Sequence, residues 1–228
     1  MNQSSNFQVK LRRIVGVALF SALAYVVMLF IRFPVSFLTL DVKDAIITLC
    51  GLCFGPISAL ISSIIVAGIE AVSISSTGIY GFLMNALGTA SFSVTVSVIY
   101  KYKKDFLGAI IGLLSGIATM TAVMMIFNLI VTPRYMHVDV EQVKSMIPTL
   151  LLPFNLVKAF FNTAIVLLLY KPISGVLQKT GFLPQSDAVL KFDRRTIFVS
   201  ATAIILMVVS LIIIFQVLGG TFQFGVKK

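Results

Sequence analysis

Apolar residues fall along this chain in seven blocks, at about 14–31, 45–54, 57–73, 80–100, 106–131, 149–170 and 196–218, separated by short clusters of charge, glycine and proline. A hydrocarbon core about 30 Å thick needs roughly 20 residues of α-helix to cross it, so most of these blocks read as membrane spans. The second block is too short to cross alone, and its "FGP" junction with the third marks a tight turn. The pattern predicts an all-α polytopic membrane protein, with no inverted repeat of the kind that builds self-contained secondary transporters. Residues 171–195, "KPISGVLQKTGFLPQSDAVLKFDRR", are polar and turn-rich and divide the chain into a membrane core (1–172), a cytoplasmic linker (173–195) and an additional C-terminal transmembrane helix with a short tail (196–228).

Composition agrees with the pattern: 58% of the 228 residues are hydrophobic and 11% charged, and the mean hydropathy of +1.04 leaves no material for the polar skin of a soluble domain. The net charge of +10 would suit nucleic acid on a soluble fold, yet here the basic residues lie between apolar blocks and no nucleic-acid partner is expected. With the N-terminus inside, the inner segments hold Lys10, Arg12, Arg13, Lys101, Lys103, Lys104, Lys171, Lys179, Lys191, Arg194 and Arg195. The outer segments hold Arg32, Lys43, Arg134, Lys144, Lys227 and Lys228, so the bias places the N-terminus in the cytoplasm and the C-terminus outside. The basic cluster before the first block reads as the flank of a retained helix, since no small-residue cleavage site stands out. Cys50 and Cys53 form a C-x-x-C inside "ITLCGLCFG", where small-residue packing is a better reading than redox chemistry.

Against this apolar background the polar residues inside the helices are the candidates for chemistry, because a charged group in lipid costs at least about 2.5–3.5 kcal/mol. Asn155, Lys158 and Asn162 recur at i, i+3 and i+7 on the sixth block, which places them on one stripe. Lys158 lies in the outer half of its helix, and Glu70, Asn85 and Asn128 fall near the outer ends of theirs; Thr39, Asp41 and Asp44 lie in the first outer loop, "SFLTLDVKD". The inner halves carry mostly Gly, Ser and Thr, which suits close helix packing and not a continuous polar channel. Each candidate also has a structural reading: Lys158 paired with Glu70, and the asparagines as hydrogen bonds between helices. Tyr25, Tyr80, Tyr100, Tyr135 and Tyr170 sit near helix ends as an aromatic belt, or in the case of Tyr135 as a platform for a flat heterocycle. His137, alone in its loop, makes a poor metal site, and neither a metal nor a cofactor is expected. The chain shows no paired acids, no nucleophile with its base and no G-x-x-x-x-G-K-[ST] phosphate loop, so an intramembrane enzyme is disfavoured and any ATP chemistry belongs to other subunits.

Four stretches carry a family resemblance: "ALFSA" with Ala18 and Ala22 four apart, "FLTLDVKDAIITLCGLCFGPISAL", "STGIYGFLMNALG" with Thr77, Gly78, Gly81, Asn85 and Gly88, and the pair "FNLIVTPRY" and "PFNLVKAFFN". In this order and spacing they resemble the substrate-binding S component of an energy-coupling factor (ECF) vitamin transporter, most closely the riboflavin-specific type. The resemblance covers about residues 10–172 and implies a six-helix core, to which this chain adds one C-terminal helix. It also implies that a vitamin, riboflavin or a related flavin, is captured from outside, with pantothenate, folate or a similar precursor as alternatives and a non-transporting scaffold as the reading without ligand. The implied partners are the lipid bilayer, a transmembrane coupling subunit docked through Ala18 and Ala22, and two ATPase subunits. By the same resemblance the substrate-binding residues are Thr39, Leu40, Asp41, Asp44, Gly81, Asn85, Asn128, Tyr135, Asn155 and Lys158. Late in the third helix Gly68, Ile69 and Glu70 stand where the riboflavin group tends to have a Lys-Asn pair, which marks Glu70 as a position of specificity or as the ion-pair partner of Lys158.

Overall fold

The protein is described by a computed structural model over residues 2–183 and 194–221. Helix α1 (Asn2–Phe30) leads into a hairpin of β1 (Arg32–Val35) and β2 (Leu38–Asp41), followed by α2 (Lys43–Phe54), α3 (Pro56–Ser73), α4 (Gly78–Tyr102) and α5 (Phe106–Met136). A short α6 (Val140–Met146) and a wide π turn over Ile147–Leu151 enter α7 (Leu152–Lys179), and α8 (Arg194–Ile212) ends in a second π turn over Ile213–Val217. Among the described residues six helical stretches are long and apolar enough to cross a membrane: Phe7–Phe30, Pro56–Ser73, Gly78–Tyr102, Leu107–Met136, Val140–Lys179 and Ile197–Val217. Their exposed faces carry large apolar side chains such as Ile57, Leu60, Ile61, Ile64 and Ile65 on α3, a surface suited to lipid.

The helix missing from those six is α2, whose 12 residues reach only about 18 Å. Every residue from Lys43 to Gly51 is buried. α2 packs against α1, α3, α4 and α7, and a helix enclosed on all sides needs no polar face, which is why its sequence is apolar without periodicity. Val42 at its start offers no capping oxygen, and the side chain of Asn162 on α7 takes that part: its Oδ1 accepts the N–H of Ala45 at 2.8 Å. At its other end Gly55 takes φ +95°, open to glycine, and Pro56 begins α3 where a missing N–H costs nothing.

Small and hydroxyl side chains let α3 and α4 approach this central helix. Cys50 lies 3.6 Å from Ser62 of α3, and Ser63 of α3 lies 3.4 Å from Ser93 of α4. A Cβ on Gly51 would stand 2.7 Å from the Ala59 Cβ and collide with the Ser97 side chain as well. Gly51→Ala is therefore expected to destabilise the bundle by about 1–3 kcal/mol, the usual cost of overpacking, read as a lower midpoint of thermal unfolding in detergent.

Three features differ from the sequence expectation. The first outer loop is a two-stranded β-hairpin within the all-α fold that the sequence pattern predicts; its two-residue turn, Ser36 and Phe37, places Ser36 at φ +55°, the positive value that the first position of a primed turn demands. α5 continues past residue 131 to Met136 with Pro133 inside it, and α7 continues past 170 to Lys179 with Pro172 inside it. Of the expected linker, residues 173–179 are thus helical, while residues 184–193 lie outside the described residues, as do Lys227 and Lys228 of the tail.

Candidate functional site

A cavity of about 580 Å³ opens at the hairpin end of the bundle, within the roughly 300–1,000 Å³ typical of small-molecule sites. The hairpin roofs it, α4, α5 and α7 form its walls, and the α3–α4 connection forms its rim. Of the residues expected at the site, Thr39, Glu70, Gly81, Asn85, Asn128, Tyr135, Asn155 and Lys158 all line this one cavity. Gly81 is needed there because a Cβ would collide with Thr77, whose hydroxyl lies 2.9 Å from that of Ser75 on the rim.

Three expected residues do not line it. Leu40 is fully buried in the hydrophobic core, because directly paired residues of an antiparallel hairpin share a face. The pairs Arg32–Asp41 and Pro34–Thr39 take the cavity side, while Phe33–Leu40 lies on the other. Asp41 and Asp44 are buried behind the cavity wall, each against the ammonium of Lys158.

The lysine stands in an ionic cluster. Lys158 Nζ lies 3.3 Å from Asp41 Oδ2 and 3.5 Å from Asp44 Oδ2, and it donates to the Thr39 carbonyl at 3.3 Å. The expected pairing with Glu70 is replaced: Glu70 Oε2 meets Lys43 Nζ at 2.7 Å, and Lys43 also meets Asp41 Oδ2 at 3.0 Å. Lys43 is therefore not a solvated outer-loop charge but a side chain 1% exposed in the centre of the molecule. Three carboxylates and two ammoniums leave this cluster one formal negative charge. Burial pushes the Asp41 carboxyl up, but the ammoniums of Lys158 and Lys43 outweigh it and hold the group down to about 2.

Further hydrogen bonds tie the cluster to its surroundings. Thr89 donates to Asp44 Oδ1 at 2.6 Å, and Asn162 Nδ2 donates to the carbonyls of Asp41 and Lys158, each at 3.0 Å. Asn162 thus sits behind the wall, holding α7 to the hairpin and to α2. On the wall, Asn128 Nδ2 donates to the Met124 carbonyl at 2.7 Å while its oxygen accepts from Thr132 at 2.8 Å; Asn155 Nδ2 donates to the Leu151 carbonyl at 2.8 Å. These bonds within single helices fix the amides at the cavity wall and do not join helices to each other.

Several lining residues escaped the sequence reading. Met84, Met120, Met124 and Phe154 supply an apolar wall, and Tyr80 stands with its ring centroid 6.1 Å from that of Tyr135. Methionines and a phenylalanine in an apolar block carry no sequence signal of a cavity; Tyr80 signalled only a helix end, whereas Tyr135 was expected at the site. Tyr100 and Tyr170 instead pair with each other, hydroxyl to hydroxyl at 2.6 Å. On α1, Ala18 and Ala22 are exposed, one turn apart, beside exposed Leu19 and Leu23.

Comparison with known proteins agrees with this architecture. A family model described as "ECF transporter, substrate-specific component" matches residues 12–170. The chain is 30% identical over 178 residues to the riboflavin transporter RibU of Staphylococcus aureus (strain TCH60), covering 74% of this chain and 93% of that one. It is 25% identical over 174 residues to the riboflavin transporter FmnP of Bacillus subtilis (strain 168), covering 71% of this chain and 91% of the relative. The solved structure of the S component of a bacterial ECF transporter superposes with a TM-score of 0.64 at 29% identity, covering 99% of that chain and 74% of this one.

Proposed function

This chain belongs to the family of ECF transporter substrate-specific components, and we propose that it is the subunit that captures riboflavin, or a closely related flavin, from the outside of the membrane. The observation that supports this reading is the make-up of the cavity, which sets a methionine and phenylalanine wall, an aromatic pair and a group of fixed amides beside one ammonium. A flavin has the matching halves. Its dimethylbenzene edge is apolar, its pyrimidine edge presents carbonyl oxygens and ring nitrogens, and its ribityl chain carries hydroxyls.

In this reading Lys158 and Asn155 donate to ligand oxygens, Asn85 and Asn128 read the polar edge, and Tyr80 and Tyr135 stack on or close over the ring. Thr39 and Gly81 shape the roof and the wall, and Asp41 and Asp44 hold Lys158 in place from behind. Glu70, which lines the cavity while paired to Lys43, is the position that tunes specificity. Because a polar group of the cavity left without a partner is costly, each such contact discriminates between ligands.

The pocket end faces outward, with the N-terminus cytoplasmic and the C-terminus extracellular, and residues 1–172 act as the core, 173–195 as the linker and 196–228 as an added span. Ala18 and Ala22 present a flat strip on which a transmembrane coupling subunit docks. Two ATPase subunits supply the energy, and the core turns in the bilayer to release its ligand inside. The chain itself performs no catalysis.

The test is direct. The full chain, purified in detergent, is examined for visible flavin absorption and titrated with riboflavin while flavin fluorescence is followed. A yellow preparation, or saturable one-to-one quenching at nanomolar ligand, is the expected result. No quenching together with a stabilising effect of pantothenate or folate would move the ligand to another vitamin; no stabilisation by any of them would favour a scaffold, since a ligand at 100 times its Kd adds about 2.7 kcal/mol.

A further inference from the structure

The family match ends at residue 170, before α8 begins, yet α8 is not an isolated anchor. It packs along α7, and its final turn reaches the hairpin that roofs the cavity. Phe215 meets Phe33 of β1 edge to face, with centroids 5.5 Å apart, and Phe33 in turn meets Phe161 of α7 at 6.4 Å. Beyond the helix Gly219 takes φ +66° and turns the chain back, so that the Gly220 N–H bonds to the Ile214 carbonyl at 2.8 Å. The Thr221 N–H then donates to the carbonyl of Pro34 at 3.1 Å.

The close fit at this point is specific to small residues. A Cβ on Gly220 would stand 2.5 Å from Ile214 Cγ2 and 3.2 Å from Val35 Cγ2. With Val35 and Leu38 closing the two-residue turn, the alternation of an antiparallel ladder sends the Pro34 carbonyl to the edge of β1 that faces away from β2, and Thr221 occupies that edge. The pleat completes the connection. Phe33 faces Phe161 of α7 and Phe215 of the π turn that ends α8, Val35 is buried beside Gly220, and Arg32 and Pro34 line the cavity.

From these contacts we infer that the outer end of α8, through Phe215 and the Thr221 N–H, positions the β1–β2 hairpin as the roof of the ligand cavity and so sets how fast bound ligand escapes. Apart from α8, the hairpin is held to the bundle by contacts that include Phe161, Lys158 on Asp41 and the Thr39 carbonyl, Asn162 on the Asp41 carbonyl, and Lys43 on Asp41. α8 adds a second ring, Phe215, to the Phe33 face and a hydrogen bond along the hairpin's free edge. Phe215 and Thr221 are positioning residues, since neither lines the cavity.

The inference rests on the riboflavin reading only for its ligand arm. In the full chain, Phe215→Ala and Thr221→Pro, which deletes the donated N–H, are compared with the unaltered protein by hydrogen exchange of residues 32–41 without ligand. Exchange in the hairpin is expected to quicken about tenfold in both variants while α2 and α7 keep their protection, and Phe215→Tyr, which keeps the ring, restores it. In the ligand arm, riboflavin dissociation measured by recovery of flavin fluorescence quickens about tenfold with little change in association. Unchanged hairpin exchange, or faster exchange spread through the helices, overturns the positioning role. Looser hairpins with an unchanged dissociation rate overturn its link to ligand escape. If the unaltered chain binds no riboflavin, the ligand reading fails by itself, and the exchange arm still decides what α8 does to the hairpin.

Discussion

Lys158→Met is expected to weaken riboflavin binding roughly ten- to hundredfold, the loss of one hydrogen bond to a charged group worth about 1.5–3 kcal/mol, and to destabilise the unliganded protein at the same time. The two effects have separate origins. The ammonium lines the cavity, and it also lies against Asp41 Oδ2, Asp44 Oδ2 and the Thr39 carbonyl. Asp44 suffers most from its removal. Its Oδ1 keeps the Thr89 hydroxyl, but its buried Oδ2 accepts no hydrogen bond and has Lys158 as its neighbouring cation. A carboxylate stranded in that way costs about 3–5 kcal/mol. Adding Asp44→Asn to Lys158→Met removes the stranded charge, so thermal stability is expected to recover in the double variant while riboflavin affinity does not. Recovery of both would make Lys158 a structural clamp on the hairpin and end its part in ligand recognition.

The polar stripe on α7 was legible from spacing alone, since a helix repeat puts Asn155, Lys158 and Asn162 on one face, and that face does turn inward. What spacing could not assign was the partner of each. Asn155 and Lys158 reach the cavity wall, but Asn162, one turn further along, caps α2 instead. The hairpin was hidden for a different reason: each strand of "RFPVSFLTLD" has only four residues, and the apolar positions shift from Phe33 and Val35 to Leu38 and Leu40 across the two-residue turn, so no single alternation runs through the stretch. Leu40 was misplaced for want of that strand, whose alternation sends it to the core. Lys43 reads as a loop cation in sequence because its neighbours say nothing about Glu70, a carboxylate that arrives from 27 positions away. Long-range electrostatic pairing of this kind leaves no local signature, whereas the length and greasiness of each span do.

Lys43→Met is expected to lower stability by about 3–5 kcal/mol, although Lys43 is not in contact with the cavity. A lysine at the first position of a helix opposes the positive end of the helix dipole, so its place there depends on the carboxylates around it. Both are close: Glu70 Oε2 at 2.7 Å and Asp41 Oδ2 at 3.0 Å. The two acids lose unequally when the ammonium goes. Asp41 keeps Lys158 at 3.3 Å, but among the described residues Lys43 is the cation paired with Glu70, whose side chain is only 5% exposed. Glu70→Gln in the Lys43→Met background is therefore expected to restore most of the thermal stability, and Asp41→Asn in the same background is not, since it also removes an anchor of Lys158. Equal rescue by the two second changes, measured as unfolding midpoints in one detergent, would show that the cluster responds to its total charge and not to the pairing of Lys43 with Glu70.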